Sequence, residues 1–118
     1  MDSYPLLNRC AVIVTPKPPF WEWVNKTSNV FDDDFRFERD ADSNIYLVPG
    51  YESEPDISLA IANYIGQNHQ DIFISELEAW NADPTTFPEI SYDRFLEWFS
   101  LSSHTMIFDT VNKPLKKK

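Results

Sequence analysis

Proline decides where this chain can change direction. Nine prolines are spread over 118 residues, and they open or close most of its apolar segments. A proline cannot continue a central strand ladder or a helix interior. "RCAVIVTP" (9–16) is a β-rich apolar run closed by Pro16, which predicts a buried strand. Pro18 and Pro19 follow, where a helix start tolerates a missing N–H. Phe20, Trp23 and Val24 then fall at i, i+3 and i+4, forming one helical face. Trp21 is two residues from Trp23, so one of the pair is expected at a rim or on the surface.

"DFRFER" (34–39) alternates apolar Phe35 and Phe37 with charged residues, which is strand periodicity. "DADSN" (40–44) is turn-rich, and "NIYLVP" (44–49) is a second β-rich run ending in proline. The two runs predict a hairpin. Residues 53–80 are helical in pattern. Ser53 with Asp56 resembles a capping box, and two apolar stripes meet near Gly66, where a kink or split is expected. "NADPTTFPEI" (81–90) is a loop. Ser91 is placed to cap a short helix over 92–100, with Phe95, Leu96 and Phe99 inward. "HTMIFDTV" (104–111) predicts a final strand.

The resulting order is β-α-β-β-α(α)-β. It matches an α+β, two-layer ferredoxin-like domain: a mostly antiparallel four-stranded sheet with helices on one face. In that topology the first and last strands are antiparallel neighbours, and the first and third are parallel and central. Residues 1–112 would form the single domain and 113–118 a flexible Lys-rich tail.

Charge narrows the partners. The net charge is −9, with 19 acids and 10 bases. Four of the bases are Lys113, Lys116, Lys117 and Lys118, so the body is more acidic still. Such a body repels nucleic-acid phosphates and anionic lipid and favours a basic protein partner. No apolar run is long enough to span a bilayer, and the N-terminus lacks a signal peptide's pattern. The single cysteine, Cys10, cannot form an internal disulfide. A cytoplasmic protein, monomeric or homodimeric, is expected. With only two glycines, Gly-rich phosphate cradles are excluded.

Few residues suggest chemistry. The acidic stretch 32–42 lacks the glycine of a tight calcium loop and is interrupted by Phe35 and Phe37, so it reads as a solvated hairpin, and no metal or cofactor is expected. His104 and Asp109, five residues apart on one strand, would point to opposite faces roughly 16 Å apart. They cannot serve as one base–orienter pair with Cys10. Glu76 and Glu97 sit among apolar positions, where burial would raise a carboxyl pKa. His104, Asp109, Glu76 and Glu97 are the weak catalytic candidates. Asp32, Asp33 and Asp34 could steer a partner, with Trp21, Trp80 and Trp98 as aromatic anchors. Alternatively, those tryptophans are the outer part of the core.

The segments "NRCAVIVTPKPPFWEWVN" (8–25), "NIYLVPGYESE" (44–54), "YDRFLEWF" (92–99) and "SSHTMIFD" (102–109) resemble a family of small acidic bacterial proteins of unknown function. The resemblance implies a compact cytosolic bacterial protein and brings no catalytic residues with it. A non-enzymatic interaction or regulatory module is therefore the leading expectation. A small enzyme or ligand-binding protein, with a pocket between sheet and helices, is the alternative.

Overall fold

The computed structural model describes residues 4–27, 43–51 and 53–118. Strand β1, Arg9–Pro16, is the apolar run that the sequence closes with Pro16. Its alternation sorts its side chains: Cys10, Val12 and Val14 join the hydrophobic core, while Ile13 and Thr15 are half-buried on the other face. β1 is the central strand. Strand β2, Asn44–Pro49, pairs along one side of it and strand β3, Phe99–His104, along the other, in the order β2-β1-β3. Val12 lies opposite Tyr46 on β2 and opposite Ser103 on β3.

This corrects the expected ferredoxin-like arrangement. The described residues form three strands, not four, and all pairing is antiparallel. The reason lies in where the chain enters β2. Asn44 arrives beside Val14, at the end where β1 leaves the sheet, so β2 must run back along β1. A parallel pair would need entry at the opposite end. The expected strand at 34–39, its turn and the acidic residues 32–34 lie outside the described residues.

The last strand is also earlier than its sequence pattern suggests. It occupies 99–104 rather than 104–111 and follows helix α3, Tyr92–Trp98, without a loop. His104 therefore sits opposite Ala11. Residues beyond it remain extended beside the N-terminal segment. The Leu7 N–H donates to the Ile107 carbonyl at 2.7 Å and the Asp109 N–H to Pro5 at 2.9 Å, with a single bridge at Leu6 and Phe108.

The helices cover one face of the sheet. Helix α1, Pro18–Thr27, buries Phe20, Trp21, Trp23 and Val24, so neither Trp21 nor Trp23 lies on the surface. Lys17 ties the start of α1 to the end of α3. Its backbone N–H donates to the Trp98 carbonyl at 2.7 Å and its Nζ to the Leu96 carbonyl at 2.8 Å, satisfying carbonyls that a helix end leaves open. Helix α2 is continuous from Ile57 to Glu78. Gly66 neither splits nor ends it. Asp56 is the N-cap and accepts the Leu59 N–H at 3.0 Å; the expected box with Ser53 is replaced by this one side chain. Ser91 caps α3 as its sequence predicts, accepting the Arg94 N–H at 3.2 Å. Leu96, expected inward, is exposed.

Among the described residues most aromatic side chains lie in the core or pack against it. Phe20, Phe73, Phe95 and Phe99 are fully buried. The Phe99 ring centroid lies 5.1 Å from Phe20, 5.5 Å from Phe73 and 5.3 Å from Phe95, within the range of favourable ring pairs. Phe99 is the first residue of β3, so this cluster fixes the point where the chain turns from helix to strand. On the opposite face of the sheet, Ile45 and Leu47 are exposed.

Candidate functional site

Among the described residues Glu76 is the one buried charged side chain, at 3% exposure. Helical spacing puts it there. Ile72, Phe73, Glu76 and Leu77 share the stripe of α2 that faces the sheet. A carboxylate so placed needs donors, and β2 supplies them. The strand's alternation turns Asn44, Tyr46 and Val48 to the same side. The Tyr46 hydroxyl donates to Glu76 Oε2 at 2.5 Å, and the Asn44 side-chain amide donates to the same oxygen at 2.9 Å.

These contacts set the electrostatics. Burial pushes the Glu76 carboxyl above the usual carboxylate range, while the hydrogen bonds from Tyr46 and Asn44 hold it back. Burial, followed by the bond to the Glu76 carboxylate, pushes the Tyr46 phenol up strongly. The phenol thus keeps its proton, and the carboxyl holds one more readily than an exposed glutamate does. Chemically, the pair can bind a proton at the junction of α2 and β2. A general acid needs that property. The same two hydrogen bonds also pin the helix to the strand.

The other candidates are scattered. Glu97 is exposed on α3, and His104 is exposed at the end of β3, its Nε2 2.9 Å from the Ser102 hydroxyl. Asp109 accepts the Val111 N–H at 2.9 Å and so holds a local turn. Among the described residues no hydrogen bond links Glu76, Glu97, His104 and Asp109 to one another. Trp21 is buried and meets Trp80 edge-on at 5.5 Å. Trp98 is half-buried against Phe73 at 5.5 Å. Asp32, Asp33 and Asp34 lie outside the described residues. Among those that are described, no three His, Cys, Asp or Glu side chains are grouped to hold a metal ion, and no helix is long and apolar enough to cross a membrane.

Sequence reasoning singled out Glu76 but missed Asn44 and Tyr46. The signal was present in the parity of "NIYLVP", which puts both on the face of Val48. It becomes usable only when β2 is known to lie beneath the C-terminal half of α2. Compared with family models, curated proteins and solved structures, the chain has no match.

Proposed function

We propose that this chain is a cytoplasmic protein-interaction module for a basic partner, and that its helical layer is the recognition side. The observation that carries this reading is the division of charge between the two layers. The three strands contain one charged residue, Arg9. The helices present Glu22, Asp71, Glu78, Asp93 and Glu97 to solvent, against Lys26 and the half-buried Arg94. A surface of one sign raises the rate and selectivity of encounter with an oppositely charged protein.

The test is fluorescence anisotropy with a labelled lysine-rich peptide, at low and moderate salt. Affinity should fall as salt screens the exposed charges, and the double variant Asp71→Lys with Glu78→Lys should bind several-fold more weakly. Binding that ignores both salt and charge reversal would refute the proposal. A second reading, a small enzyme or ligand-binding protein, draws on Glu76 alone. It requires a small molecule whose binding shifts when Glu76→Gln removes the titrating proton.

A further inference from the structure

The outer edge of β3 has features of a docking strand. Among the described residues β3 pairs with β1 on one side only. Every residue after Phe99, from Ser100 to His104, is exposed, and no described residue forms a backbone hydrogen bond to its outer edge. In an antiparallel ladder alternate residues turn their N–H and C=O groups outward, ready to pair. Exposed edges are normally blunted by lysine, proline or an inward charge. "FSLSSH" carries no acid, lysine, arginine or proline.

Beside this edge, on the helix side, lies a groove of about 130 Å³ between α2 and β3. Val12, Ile61, Ile65, Leu101 and Tyr92 line it, with Ser58 and Ser103 as polar members. Leu101 points into it and remains 36% exposed. A strand laid along β3 would alternate its side chains between the two faces. Those on the helix side would enter the groove. Backbone pairing combined with side-chain pockets at alternate positions is the recognition mode of strand addition.

Resting on the interaction reading above, we propose that the outer edge of β3 and the adjoining groove bind an extended segment of another protein, apolar at alternate positions and basic at its flanks. Charge selects this occupant over a second copy of the chain. Two copies would each bring a net charge of −9 to the same contact. The groove itself is uncharged, while Asp56 at the head of α2 and Asp93 next to Tyr92 are exposed nearby in sequence.

The probe is a synthetic dodecapeptide with valine at alternate positions and lysines between and beyond them. Two controls accompany it: a scrambled peptide of the same composition, and one N-methylated at alternate amides. Binding is followed by anisotropy, and its footprint by amide hydrogen exchange across Phe99–His104. The expected result is protection of alternate β3 amides by the patterned peptide only. Leu101→Lys, in the groove, should weaken binding about tenfold, the equivalent of losing most of one buried aliphatic contact. Ser102→Lys adds the same charge on the opposite face and should change affinity far less. Four results would overturn the proposal: equal effects of the two lysines, undiminished binding of the N-methylated peptide, a footprint on α2 and α3 with β3 unprotected, or self-association through β3 in sedimentation. The third would leave the interaction reading standing, whereas salt-insensitive binding would remove that reading.

Discussion

Removing Glu76 in two different ways separates its hydrogen bonds from its charge. Glu76→Ala deletes the acceptor of Tyr46 and Asn44. Asn44 is exposed and regains water, so its loss is small. Tyr46 is half-buried, and a hydrogen bond to a charged group contributes about 1.5–3 kcal/mol. The lost methylene adds about 0.8 kcal/mol. Relief of the buried charge offsets part of this, leaving a net destabilisation of about 2 kcal/mol. Glu76→Gln behaves differently. Its carbonyl oxygen can still accept both donors, now as neutral bonds weaker by about 1 kcal/mol, and the variant no longer buries a charge. The two effects nearly cancel, so at neutral pH its stability should stay close to that of the parent.

Acidity distinguishes the parent from Glu76→Gln. The carboxyl's pKa is raised on folding, so the folded chain holds this proton more tightly than the unfolded chain does. The resulting stabilisation is complete below the unfolded value of about 4.3 and is lost as pH rises through the higher folded value. Urea unfolding at a series of pH values should show the parent gaining on Glu76→Gln as pH falls through that window. Comparing the two cancels the other carboxylates. If Glu76→Gln were as damaging as Glu76→Ala at neutral pH, with a gap to the parent that ignored pH, the raised-carboxyl argument would be wrong.

Two further outcomes follow from the packing. Gly66→Ala should stabilise the protein by about 0.5–1 kcal/mol in urea melts, because Gly66 is interior to a helix. The added Cβ would meet only the Tyr92 ring at 3.7 Å, an ordinary contact, and no glycine has positive φ. Trp21→Ala should destabilise by about 3–5 kcal/mol, measured the same way. A partner anchor on the surface would leave stability nearly unchanged, so a loss under 1 kcal/mol would contradict its placement in the core.

What could be read in advance was what local chemistry determines. β1, α1 and the Ser91 cap follow from spacing within a few residues, whereas Glu76 and Glu97 look alike in their apolar settings and only Glu76 is buried. The sheet order does not follow from spacing, because nothing local says at which end of β1 the chain re-enters. The start of β3 was misplaced for a related reason. Phe99 continues the helical spacing of Phe95, and "FSLSSH" has little β-branched character. Only packing against Phe20 and Phe73, with Lys17 closing the end of α3, ends the helix at Trp98. The Glu76 site was half-legible for the same reason: its helix residue is one of two candidates in apolar settings, whereas its strand donors depend on the sheet order.

The central position of β1 has a consequence for synthesis. Both of its neighbours come later in the chain, and β3, which flanks it on one side, is the last of the described elements. As the chain leaves the ribosome, Cys10 to Val14 emerge before β3 and must remain unpaired on that side until residues 99–104 have followed. The ladder between β1 and β3 is thus a long-range closure of the kind that slows folding and leaves intermediates prone to aggregate. A chain stalled before residue 99 would display an apolar strand lacking one of its two neighbours, which is the sort of surface a chaperone recognises.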